Sequence, residues 1–220
     1  MSNVRTFSRL ALPIFGALLV VLFSAATSRA DGVTFNSPTG NLGSATWMYM
    51  LDGTPIAAMA FNGGNLFGKN NGIGEQGVGV TGDPSGQHEI FAVATGAPQD
   101  FIQLDLSSLI AAGFTGFFFE MGSATFGETW QVSACDTSGT LCSNGSTLTG
   151  TTEAITGAPG NLSASDPFLD FSSNKGNVLL GMLAATPPST TPEPSSLGLL
   201  LAGMLGLAGM SLLRRRAVQA

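Results

Sequence analysis

Between Asp31 and Ala185 the apolar residues mostly come in short runs bounded by Gly, Pro, Asn, Asp and Ser. That punctuation predicts strands at Trp47–Leu51, Ile56–Phe61, Glu89–Ala94, Phe101–Leu106, Phe114–Met121, Thr129–Cys135 and Val178–Leu183. In Ile102-Gln103-Leu104-Asp105-Leu106 apolar and polar residues alternate cleanly, so one face of that strand is expected to be wet. Trp130, Val132 and Ala134 alternate with Thr129, Gln131 and Ser133 in the same way. Phe117-Phe118-Phe119 is apolar on both sides, which suits a central strand covered on each face. Helix is limited to a turn or two at Ser107–Ala112, capped by Gly113. Several short strands with frequent turn signals predict a mainly β, antiparallel sandwich or jelly-roll-like domain over residues 31–185.

Asn62–Gly86 departs from this rhythm because it is dense in glycine, with Asn-Gly at 62–63 and 71–72. Glycine supplies positive φ and lets backbone approach a partner closely. The segment lacks the G-x-x-x-x-G-K-[ST] phosphate loop. It reads as a long surface loop with one short strand inside it, a binding loop being the alternative.

Charge narrows the partners. From Asp31 to Thr190 the only bases are Lys69 and Lys175, against 13 acids, a formal balance of 2 − 13 = −11. So acidic a body repels phosphate backbones and excludes nucleic acid as a leading partner. The basic residues gather instead at the ends. Arg5 and Arg9 precede an apolar stretch from Leu10 to Ala26, and Ser28-Arg29-Ala30 offers small residues at the −3 and −1 positions of a cleavage site. Residues 1–30 therefore read as a secretory signal peptide for Sec export, with a retained N-terminal anchor as the alternative.

The C-terminus reverses that logic. Residues 186–196 form a Pro/Thr/Ser linker containing Pro192-Glu193-Pro194. Leu197–Leu213 is an uncharged run long enough, at about 1.5 Å per residue, to reach roughly 25 Å across a bilayer. Arg214, Arg215 and Arg216 follow at once and predict a cytoplasmic tail over 214–220. The precursor is thus expected to be a single-pass inner-membrane protein, transiently anchored, with its domain in the periplasm. Gly198, Gly203, Gly206 and Gly209 suit recognition by a membrane enzyme, with self-dimerisation through Ala202 and Gly206 as the alternative.

Pro192-Glu193-Pro194, a glycine-interspersed apolar helix and an arginine cluster, in that order, resemble the PEP-CTERM sorting signal of Gram-negative bacteria. The resemblance covers about 25 of the 220 residues. It implies processing near the motif by exosortase, a membrane-embedded transpeptidase-like enzyme, and association with envelope and exopolysaccharide production. The mature form would then stand at the cell surface or outside the cell. The stretches 72–75, 88–90, 102–106 and 127–130 also look like β-rich domains that precede such tails.

Candidate chemistry within the domain is sparse. Cys135 and Cys142, the only cysteines, read in an exported protein as a disulfide across a hairpin. A nucleophilic thiol paired with His88 would instead need a free cysteine and an orienting carboxylate. His88 is the sole histidine, so a zinc cage from two cysteines and one histidine is a ligand short. No G-x-S-x-G elbow marks a hydrolase. No cofactor is the leading expectation, the carboxylates serving to solvate the surface; calcium is the alternative, with Asp83, Glu75 and Asp52 as candidate ligands, although no EF-hand-type loop occurs. The leading expectation is a noncatalytic envelope or matrix protein. A carbohydrate-binding module is the alternative, its platform drawn from Trp47, Tyr49 and Trp130, and a hydrolase is third.

Overall fold

Asp52 and Gly53 hold φ of 48° and 75°, the left-handed pair that a two-residue hairpin turn demands. They join β3 (Thr46–Leu51) to β4 (Thr54–Phe61), with Leu51 opposite Thr54. This hairpin forms one side of an antiparallel sheet completed by β8 (Phe101–Asp105), β13 (Phe168–Lys175), β10 (Thr129–Cys135) and β11 (Thr147–Gly150), in the order β11-β10-β13-β8-β4-β3. These features come from a computed structural model that describes residues 30–62, 64–72, 75–92, 99–124, 127–142, 147–188, 200 and 203–204.

A second antiparallel sheet is organised by one long strand, β14 (Asn177–Thr186). β9 (Thr115–Ser123) runs along it from Thr186↔Thr115 to Leu179↔Ser123, and β12 (Thr156–Gly157) pairs with β9. Successive stretches of β14 also pair with β7 (Ile90–Phe91), β6 (Gln76–Val80) and β1 (Asp31–Thr34). β5 (Leu66–Asn70) joins β6, and β2 (Gly40–Asn41) joins β5. Between β8 and β9 lies one short helix, α1 (Ser107–Ala111). It ends at Gly113, whose φ is 88° and whose N–H donates to the carbonyl of Ile110.

The two sheets meet across an apolar core. Phe119 of the β14 sheet lies edge-on to Trp130 at 5.3 Å and to Phe171 at 5.4 Å, both from the other sheet. Leu104, Val132, Leu169, Val178, Leu180 and Leu183 are fully buried with them. At roughly 25 cal/mol per Å² of apolar surface, such burial is the main favourable term in the fold. The predicted architecture, mainly antiparallel β in two sheets with little helix, is the one observed.

Several finer expectations change. Asn62–Gly86 is mostly not a surface loop: it contains the β5–β6 hairpin, paired from Leu66↔Val80 to Asn70↔Gln76. Its glycines let neighbouring backbone close in, since a Cβ on Gly79 would lie 2.2 Å from the carbonyl oxygen of His88. Phe117–Phe119 is not covered on both faces, because Phe118 is 37 % exposed. The strand at Glu89–Ala94 shortens to two residues, with positions 93–98 outside the described residues. β13 has no counterpart among the predicted strands. The wet face expected of β8 is dry at Gln103, and Ser133 of β10 is buried too.

The chain divides into two units, at Pro187 and Pro188. Residues 1–29 of the segment read as a signal peptide, Pro192-Glu193-Pro194 and Arg214–Arg216 lie outside the described residues. Within the 197–213 run, Leu200, Gly203 and Met204 are helical. No helix among the described residues is long and apolar enough to cross a membrane, a statement that does not bear on β-barrels.

Candidate functional site

The dry outer face of β8, β13 and β10 has a local cause. The chain leaves β10 at Cys135 and turns back over the sheet through Asp136–Leu141. Cys142 then closes that turn by a disulfide to Cys135, with the Cα atoms 5.8 Å apart. The bridge therefore closes the connecting loop itself, rather than spanning the paired strands of a hairpin, since Cys142 lies before β11. Beneath the loop, strand register brings Gln103 opposite Asp170 and Asp170 opposite Ser133. Gln103 Nε2 donates to Asp170 Oδ1 at 2.7 Å, and Gln103 Oε1 accepts the Gly139 N–H at 3.1 Å. The Cys142 N–H donates to Asp170 Oδ2 at 2.9 Å, and the same oxygen lies 3.0 Å from Cys135 Sγ.

Asp170 is 0 % exposed. Burial pushes its carboxyl up to about 6, against the hydrogen bonds from Gln103 and Cys142 that favour the charged form. Cys135, Cys142 and Asp170 lie with side-chain atoms within 4.8 Å of one another, but the disulfide leaves neither sulfur as a thiolate, so the cluster is not a metal site in this form. Sequence reading located the two cysteines and missed Asp170 and Gln103. The available signal was only that both are polar residues at period-two positions in strands. Nothing local tells such residues from solvated ones.

A second constellation sits where the Asp83–Glu89 turn docks on β5 and β6. Burial opposes charge on Asp83, but the Ser85 hydroxyl and the backbone N–H groups of Ser85, Glu89 and Gln87 outweigh it and hold the carboxyl below its usual range. Asn177 Nδ2 ties the turn to β14 by donating to Ser85 Oγ and Gln87 Oε1. Lys69 is buried between Glu89 and Glu75. Burial alone would lower its pKa, but the two carboxylates reverse the sign and raise it. His88 stacks on Phe67 with ring centroids 4.2 Å apart and sits in the left-handed region at φ 62°. These groups brace the turn. The proposed calcium ligands Asp83, Glu75 and Asp52 do not converge: Asp83 is enclosed by its own turn, Glu75 pairs with Lys69, and Asp52 turns the β3–β4 hairpin.

The expected aromatic platform is absent from the surface. Tyr49 and Trp130 are buried and Trp47 packs partly buried against the core. Tyr49 and Trp47 do share a face of β3, but it is the inner one. Among the described residues the Tyr49 hydroxyl has no hydrogen-bond partner, and burial pushes its pKa up to about 12. What the surface offers instead is a cleft of about 290 Å³ on the β14 sheet, lined by Thr34, Asn36, Gln76, Glu120, Glu153 and Met182, among others. Gly122 and Gly181 also line it, and their missing Cβ atoms let the backbones of β6, β9 and β14 pack closely there. Glu153 Oε1 accepts the Ala124 N–H at 3.2 Å, and Asn36 Nδ2 donates to Gln76 Oε1 at 3.3 Å.

Comparison with known proteins adds no assignment: no protein-family model, curated protein or solved structure matches this chain.

Proposed function

We propose that this chain is a noncatalytic protein of the cell envelope or extracellular matrix, exported by its N-terminal signal and sorted through its C-terminal tail. The observation that carries the reading is the order Pro192-Glu193-Pro194, apolar run 197–213 and Arg214–Arg216, which resembles the PEP-CTERM signal. An exosortase-type enzyme is then the processing partner, the inner membrane a transient anchor, and exopolysaccharide or biofilm the setting of the mature domain. A two-sheet sandwich stapled by a disulfide suits an oxidising exterior. Glu193→Ala tests the route, because it leaves apolar length and flanking charge unchanged. In a host carrying exosortase, immunoblots should show the full-length precursor accumulating in the membrane fraction. An unchanged ratio of mature to precursor protein would reduce the motif to a linker.

The cleft on the β14 sheet supports a second reading, a carbohydrate-binding module. Carboxylates and amides such as Glu120, Glu153, Asn36 and Gln76 suit sugar hydroxyls. Binding on a glycan array that Glu120→Ala or Glu153→Ala abolishes would favour it. No binding to any glycan would dismiss it.

A further inference from the structure

We propose that Cys135–Cys142 is a thiol–disulfide exchange site for thiolate partners, with Cys142 as the attacked sulfur and Asp170 as the buried proton donor to Cys135. The two cysteines differ in access: Cys135 is buried at the end of β10, whereas Cys142 is partly exposed at the end of the loop. An incoming thiolate therefore meets Cys142 first. Its attack forms a mixed disulfide on Cys142 and breaks the bridge, so the bonding pair leaves on Cys135 as a thiolate. That thiolate is born under the loop, where no lysine or arginine touches it among the described residues. A buried thiolate without a counter-charge is held at a high free energy, unless a proton reaches it.

Asp170 stands where that proton is needed. Oδ1 is taken by Gln103 and one direction of Oδ2 by the Cys142 N–H, which leaves Oδ2 facing Cys135 Sγ at 3.0 Å. In its acid form Asp170 transfers the proton to Cys135, yielding a neutral thiol and a carboxylate that recovers its proton from solvent. A second thiolate then attacks the partner's sulfur in the mixed disulfide and releases Cys142. The balance is two partner thiols oxidised to one disulfide and the bridge reduced to two thiols. Burial raises the Asp170 carboxyl, so the acid form is populated in mildly acidic surroundings. The other acids on the adjoining elements, Asp105 of β8 and Asp136 of the loop, bond instead to Ser107 and Thr137. A staple that only held the loop would require no ionisable group against its sulfur. Opening it would free the loop from Gln103 and Asp170 and uncover the polar face of the sheet.

The test uses the oxidised full chain in detergent, with glutathione as the thiolate probe from pH 5 to 8. Alkylation and peptide mass spectrometry would locate the mixed disulfide and give the rate. Glutathione should be found on Cys142. The rate constant per thiolate should fall by on the order of tenfold or more as pH rises through about 6, within the range of general-acid effects. Asp170→Asn, which has no titrating group, should give a flat profile. Glutathione on Cys135, or a wild-type rate per thiolate that does not change with pH, overturns the proposal, and neither reading depends on the variant folding. A profile in Asp170→Asn that still falls like the wild type overturns it as well.

Discussion

Replacing Asp170 by asparagine should change how stability depends on pH, and the size of the change follows from the burial of one carboxyl. Its pKa rises from 3.8 to about 6 on folding. Two units at 1.36 kcal/mol each give about 3 kcal/mol. Between about pH 4 and pH 6 the folded state holds a proton that the unfolded chain has released, so wild-type stability falls as pH rises through that window and then levels off. The variant has no such proton to hold. Its amide does meet a conflict, because one nitrogen must now face either the Gln103 Nε2 or the Cys142 N–H, both donors. An unsatisfied buried donor costs about 1–3 kcal/mol. Wild type should therefore be the more stable form near pH 4, and the two should converge or cross by pH 7. Urea titrations read by tryptophan fluorescence suit the measurement, since Trp47 and Trp130 are the only tryptophans and both lie in the sandwich. Taking the difference between the two proteins cancels every other titrating group. Parallel profiles from pH 4 to pH 7 would mean that Asp170 is not desolvated in solution and would undo the description of the loop as a cover.

Three further perturbations bear on other parts of the fold. Lys69→Met strands Glu89 in a buried site and should destabilise by about 3–5 kcal/mol, whereas adding Glu89→Leu should restore much of that; a double-mutant cycle in urea checks it. Gly122→Ala would place a Cβ 1.5 Å from the Gln76 carbonyl oxygen and should cost about 3 kcal/mol or more, while Gly157→Ala meets nothing within 4 Å and should move the melting temperature little. Removing the bridge by Cys135→Ser with Cys142→Ser should lower stability by roughly 2.5 kcal/mol on the chain-entropy estimate without abolishing the fold, as calorimetry would show.

The sequence alone determined what depends on near neighbours. β10 was legible residue for residue, because its apolar positions recur every second residue and Gly127 and the 136–139 turn bound it. The strands of the β3–β4 hairpin were legible as apolar runs at 47–51 and 56–61, whereas Asp52 between them stood as a candidate calcium ligand and proves to be a left-handed turn residue. The pairing of Cys135 with Cys142 needed only their proximity in the chain and the expectation of export. The tertiary structure decided which faces are dry. Gln103 and Asp170 look like solvated positions until a loop 36 and 28 residues away from them folds over both, so β13, with Asp170, Ser172 and Ser173 along it, carried no recognisable strand pattern. The same holds for Tyr49 and Trp130, whose aromatic surface is as suitable for a ligand platform as for a core. Only the segments that land on them, Phe119 against Trp130 and Phe35 against Tyr49, settle that they are core. Periodicity reports alternation along a strand, but burial is set by whatever segment lands on each face, and that segment is remote in the chain.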